Sequence, residues 1–109
     1  MQSDTLSCTC LVQENQIPDD TQTSLRSKLD GLAQQVFGAG LSINWITVPE
    51  GGGFTAAKPS TSSLVSIQSN KALAFEARKS ILSKMCDIWM DDTGCSLDEI
   101  VAVVTDPTA

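Results

Sequence analysis

The sequence predicts an α/β (α+β) domain made of a duplicated β-α-β unit, with four strands in one sheet and two helices covering one face. Three observations carry this reading. A strand-like run, an amphipathic helical pattern and a second strand fill residues 7–48, and the same succession recurs over 62–105. Each helical pattern stops at a glycine, Gly38 and Gly94, and Leu41 and Leu97 repeat at the same offset. The connections inside each unit are short, so each unit reads as a parallel strand pair with a crossover helix. Two such units side by side bury one helical layer on one sheet.

Each element has its own warrant. Ser7–Gln13 is a strand-like run, and a helical pattern follows from Pro18 to Phe37. Leu25, Leu29, Leu32 and Val36 recur at three- and four-residue spacing, which puts them on one helix face. Pro18 costs nothing at a helix start, and Asp19 and Asp20 suit the positive end of the dipole. Asp30-Gly31 weakens the pattern, since a helical Gly costs about 1 kcal/mol against Ala. Gly38 stops the helix and Leu41–Val48 resumes extended structure, with Ile43, Trp45 and Thr47 in alternation. Pro49–Pro59 holds three consecutive glycines and no periodicity, so it reads as a loop.

In the second unit Ser62–Gln68 is the strand and Leu73–Thr93 the helix. Ala74, Ala77, Ile81, Met85, Ile88 and Trp89 form its apolar stripe, while Arg78, Lys79, Lys84 and Asp87 lie elsewhere on the circumference. Glu99–Thr105 closes the unit; Val101 and Val103 are apolar beside Ile100, Ala102 and Val104, so this strand is expected to be covered on both faces. The expected core is Leu25, Leu29, Leu32, Val36, Ile81, Met85, Ile88 and Trp89. Trp45 and Trp89 each need a partner for the indole N–H if buried.

Bulk properties narrow the function classes. A chain of 109 residues reads as one domain over 1–109, burying roughly two-thirds of its unfolded surface. A net charge of −6 with seven scattered basic residues argues against nucleic acid and anionic membranes as partners. No apolar run approaches the ~20 residues of a membrane span. The start MQSDTLSCTC lacks the basic and apolar parts of a signal peptide, so the expected location is cytoplasmic, with the four cysteines as thiols.

A metal site is not expected. Cys8 and Cys10 flank one residue and are expected on opposite faces of a strand, Cys86 and Cys95 are nine apart and lack metal-ligand spacing, and the chain has no His. Free thiols then behave as small hydrophobes. The run Gly53-Phe54-Thr55-Ala56-Ala57-Lys58-Pro59 is not a phosphate-binding loop, because it lacks the second Gly before Lys and Pro59 follows it. Ser60, Thr61, Ser62 and Ser63 have no base beside them and read as a polar loop entering an outward-facing strand edge.

The pieces Val48-Pro49-Glu50-Gly51-Gly52-Gly53-Phe54-Thr55-Ala56-Ala57-Lys58-Pro59, Ala77-Arg78, Asp92-Thr93-Gly94 and Asp98-Glu99-Ile100-Val101, with the doubled plan, resemble the tautomerase superfamily. The resemblance is to its branch of carboxymethyl-hydroxymuconate isomerases and macrophage migration inhibitory factor-like proteins. It implies a homotrimer with ligand pockets between subunits, no cofactor, and proton transfer on small enol acids by an N-terminal proline. Three positions depart from that pattern. Leu6 stands where the proline is expected, Ala39 where a lysine follows the first helix, and Val101 where a tyrosine sits on the last strand.

Replacement groups are few. Gln68-Ser69-Asn70-Lys71 matches the strand end nearest the family pocket, where backbone amides and the Lys71 charge would hold a carboxylate or enolate. Lys58, after the glycine loop, is a second candidate cation. As bases, a free Lys is unprotonated in only about one copy in 2,500 at pH 7, whereas the Met1 amine is free base in about one in seven. The binding candidates are thus Leu6, Lys58, Gln68, Ser69, Asn70 and Lys71, and the candidate bases Met1, Lys58 and Lys71. Two functions follow: an isomerase of small enol or keto acids with an altered base, or a non-catalytic trimer that binds a small ligand or a partner protein.

Overall fold

The computed structural model describes residues 5–55 and 57–107. The first unit is β1 (Thr5–Gln13), α1 (Asp19–Phe37) and β2 (Gly40–Val48). The second is β5 (Ser63–Gln68), α2 (Phe75–Thr93), a 3-10 turn at Leu97–Glu99 and β6 (Ile100–Thr105). Between the units lie two short strands, β3 (Phe54–Thr55) and β4 (Lys58–Pro59), paired antiparallel. The stretch expected as featureless loop therefore closes a hairpin, with Ala57 in the left-handed region at φ 63° and Ser60 N–H on Gly53 O at 2.7 Å.

The four long strands form one sheet in the order β2-β1-β5-β6. The β1/β2 and β5/β6 pairs are parallel and the central β1/β5 pair is antiparallel. β5 is therefore internal, and Ser60–Ser63 leads into the middle of the sheet, not to an edge. Both helices stop on a glycine in the left-handed region, Gly38 at φ 69° and Gly94 at φ 74°, as side chains with a Cβ disfavour. Each glycine N–H returns to the last turn, on Gln34 O and Met90 O.

Alternate residues of β1, Leu6, Cys8, Cys10 and Val12, pack under the helices with Val65, Ile67, Ile100 and Val104. Leu25, Leu29, Leu32, Ala33 and Phe37 close the core from α1, and Ile81, Met85 and Trp89 from α2. Val36 and Ile88 sit at its margin, half-buried. Ala74 and Ala77 are exposed: Ala74 precedes α2, which starts only at Phe75, and Ala77 lies in its first turn. Cys8 and Cys10 share a face, since residues two apart on a strand must. Their thiols are hydrogen-bonded to each other; that bond and burial push Cys10 above the ordinary thiol range, so it packs as a neutral group. Trp45 and Trp89 meet with ring centroids 6.2 Å apart, and the buried Trp45 indole N–H has no partner among the described residues.

The other sheet face is open within the chain. Registers align Ile46, Leu11, Leu64 and Val101 in one row across all four strands. Ile46 is 42% exposed and Val101 49% exposed, so the covering expected on both sides of β6 is missing from this chain. The next row, Asn44, Thr9, Ser66 and Val103, is mostly polar. No helix among the described residues is long and apolar enough to cross a membrane.

Candidate functional site

The topology gathers chemistry at one end of the sheet. Parallel pairing puts the starts of β1 and β2 together, and antiparallel pairing brings the end of β5 beside them. The C-terminal end of α1 returns to the same place through Gly38 and Ala39. Gln68, Ser69, Asn70, Lys71 and Leu6 are thereby brought to one end of the fold. Leu6 is only 6% exposed and points into the core, so it contributes packing and no reactive group. Gln68 is exposed.

Ser69, Asn70 and Lys71 form a compact turn. The buried Ser69 takes Lys71 N–H on its Oγ at 3.1 Å and donates its hydroxyl to Lys71 O at 2.6 Å. Ser69 N–H donates to Thr105 O at 2.8 Å. Two of the backbone donors expected to hold an anion are thus spent inside the fold. The turn aims its side chains at the end of α1. Asn70 Nδ2 donates to Phe37 O at 3.3 Å, and Lys71 Nζ to Val36 O at 3.3 Å while standing 6.0 Å from the Phe37 ring centroid. The last carbonyls of a helix lack intrahelical partners and carry its negative dipole end, and α1 has no basic residue in its last turn. Lys71 and Asn70 supply from another element the cation and the donor that α1 lacks.

Beside this turn opens a cavity of about 520 Å³ between the end of α1 and the starts of β1 and β2. Thr5, Asp30, Gln34, Ala39 and Asn70 are among its walls. Asp30 is the residue that sequence reasoning passed over, having treated Asp30-Gly31 only as a weak spot in the helix. Its Oδ1 accepts from Leu41 N–H at 2.9 Å and pins the start of β2 to α1. The signal available was an acid inside a helical pattern, eleven residues before a strand start, which sequence alone does not pair. Arg78, read in the sequence only as a charge off the apolar stripe and as part of the family resemblance, has a structural tie. It donates to Val104 O at 2.7 Å and to Asp106 Oδ1 at 2.6 Å, tying the start of α2 to the end of β6.

Lys58 does not join this site within one chain. It stands exposed on β4, before β5, whereas Lys71 follows β5, and six strand residues separate the two ends by roughly 20 Å. Met1 lies outside the described residues. Among those residues, no three His, Cys, Asp or Glu side chains group as a metal would need.

This arrangement of strands and helices recurs in solved structures. The native protein Ps01740 superposes with a TM-score of 0.87 at 21% identity, over 94% of this chain and 95% of that one. A fused 4-OT wild-type symmetric trimer matches at 0.80 and 13% identity, over 93% of this chain and 85% of that one. The chain has the tautomerase fold. A macrophage migration inhibitory factor-like protein from Entamoeba histolytica shares the tautomerase fold at a TM-score of 0.70 and 14% identity, over 94% and 89% of the two chains. No protein-family profile matches the sequence, and no curated protein does. At these identities the likeness is one of backbone, so the chemistry of the tautomerase fold here has to be read from this chain's own side chains.

Proposed function

We propose that this protein is an isomerase of small enol or keto acids that works through side chains instead of an N-terminal proline. The observation that carries the reading is the seat of Lys71. The family resemblance expects a lysine just after the first helix, where Ala39 stands; Lys71 delivers an ammonium to the same helix end from the β5–α2 connection. A substrate carboxylate binds there by a charge-assisted hydrogen bond, with Asn70 beside it.

Asp30 carries the proton in this reading. Its carboxylate lines the cavity, with Oδ1 engaged by one backbone amide and lone-pair capacity left over. The carboxylate takes the enol O–H proton, the O–H electron pair becomes the carbonyl π bond, and the C=C pair accepts the same proton from Asp30 at carbon. The shift is balanced, needs no redox partner and uses no cofactor. Met1, whose amine is the best matched base by ordinary pKa, is the alternative proton carrier.

We further propose a homotrimer in the cytoplasm. The apolar row Ile46, Leu11, Leu64 and Val101 on the open sheet face supports association with other copies, and one structural neighbour is itself a trimer. Lys58 enters the site only from a neighbouring subunit in such an assembly. The test is ketonisation of phenylenolpyruvate. Lys71→Ala should lower kcat/KM more than tenfold, and a similar loss in Lys58→Ala would mark a subunit-shared site; unaffected rates in Lys71→Ala would remove Lys71 from the site.

A second reading has its own support. Leu6 is buried where the family base is expected, which favours a protein that kept the cavity and lost the chemistry. It predicts no turnover and a rise in melting temperature with small carboxylates, because a ligand that binds only the folded form stabilises it.

A further inference from the structure

β6 ends the sheet, so one of its backbone edges has no strand beside it among the described residues. In a strand the N–H and C=O of one residue point to the same side, and successive residues alternate. Ser69 N–H donates to Thr105 O, which turns Thr105, Val103 and Val101 toward β5 and leaves Ile100, Ala102 and Val104 facing the free edge. Arg78 agrees with this phase, since it reaches Val104 O from α2 at 2.7 Å. That bond occupies one edge carbonyl and leaves both backbone groups of Ala102 open. An edge of this kind is a template for a further strand.

Beside the edge, between α2 and β6, runs a groove of about 410 Å³. Leu82, Cys86, Met90 and Ala102 give it apolar walls, and Phe75, 71% exposed, adds an aromatic one. Lys79 and Asp87 also line it, and neither is ion-paired among the described residues. Eight helical steps separate these two, about 12 Å along α2. Four strand steps span about 13 Å and return to the same face, so one strand laid along β6 can meet both charges. Arg78 sits at Val104, so Lys79 lies toward the end of β6 and Asp87 toward its start.

We propose that an extended segment of a partner protein adds to this edge antiparallel to β6 and fills the groove. One residue of the segment exchanges both backbone bonds with Ala102. Ala102 shares the helix-covered face with Cys10 and Val65, so the residue opposite it lowers an apolar side chain among Leu82, Cys86 and Met90. Two residues earlier in the segment an acid meets Lys79, and two residues later a base meets Asp87. The residues between them face the open side of the sheet, next to Val101 and Val103.

The test is an amide-resolved NMR titration of the full chain with the acetylated, amidated peptide Ser-Glu-Thr-Leu-Thr-Lys-Ser. Saturable shifts at Leu82, Met90, Ala102 and Val104 are expected. N-methylation of the central leucine removes one edge bond without touching the protein and should weaken binding at least tenfold. Exchanging Glu and Lys in the peptide should weaken it severalfold, and so should Lys79→Glu on the exposed face of α2. No saturation, equal binding of the N-methylated peptide, or indifference to both charge changes would overturn the proposal. So would slow hydrogen exchange at Ala102 N–H that is lost on dilution, because a second copy of this chain would then hold the edge.

Discussion

One added methyl group tests how the wall of the larger cavity is held. A Cβ on Gly40 would lie 2.9 Å from Asp30 Oδ1 and 3.2 Å from Gln34 Nε2. The Gln34 amide is the end of a flexible side chain and can move. The Asp30 oxygen cannot move freely, because it accepts from Leu41 N–H at 2.9 Å. Gly40→Ala therefore drives the carboxylate away and breaks that bond. A hydrogen bond to a charged group contributes about 1.5–3 kcal/mol, and partial exposure puts this one at the lower end. Against it stands the gain of about 0.4–1 kcal/mol from a stiffer unfolded chain. The net cost is about 1 kcal/mol. In an Asp30→Ala background the bond is already gone, so the same methyl should be neutral or stabilising. The coupling is then about 1–2 kcal/mol, well above the ~0.5 kcal/mol scatter of independent sites. Urea unfolding of the four proteins at one protomer concentration measures it. Additive costs would refute the account of Asp30 as the strut of β2.

Other expectations follow from the same packing and charges. Leu29→Ala empties a fully buried position and should cost about 2–5 kcal/mol by urea unfolding. Lys71→Ala removes an exposed contact to the α1 carbonyl and the Phe37 face, so it should lower stability by no more than about 1 kcal/mol while weakening enol-acid binding more than tenfold. Calorimetry on the variant separates these; a stability loss several times larger would make Lys71 a structural lock. The Lys28 ammonium, then the Ser24 hydroxyl, hold Asp92 below the ordinary carboxylate range. Its stabilising effect is therefore complete above the unfolded value of about 3.9 and lost as pH falls through the lower folded one. Asp92→Asn should flatten the acid limb of a melting-temperature profile, and an unchanged limb would count against the pair.

The fold was legible because its signals are local and repeated. Leucines at helical spacing, two stop glycines at matching offsets and alternating strands specify the elements, and short connections leave few topologies. Where the reading failed, the deciding contact was non-local or the period was misjudged. Cys8 and Cys10 were assigned to opposite faces although a strand repeats every two residues, and Ala74 and Ala77 were put on the buried stripe although Ala74 precedes α2 and Ala77, in its first turn, is exposed. The exposed side of β6 was hidden for another reason: an apolar row facing outward reads in sequence like one facing inward. The site was only half legible. The family resemblance singles out Lys71, along with Lys58, and puts Lys71 at the strand end nearest the implied pocket, but its seat on the α1 carbonyls is a contact 35 residues away in sequence. Asp30 carried no signal, since its partner amide belongs to the next strand.

The central claim is that side chains at the end of α1 move a proton on a small enol acid. Ketonisation of phenylenolpyruvate, compared between the wild-type protein and Asp30→Asn, tests it most directly, because Asn keeps an acceptor for Leu41 N–H while losing the basic carboxylate. Saturable turnover by the wild-type protein that falls at least a hundredfold in Asp30→Asn, with melting temperature little changed, is the predicted result. Turnover no faster than buffer, or a variant as fast as the wild type, would contradict it.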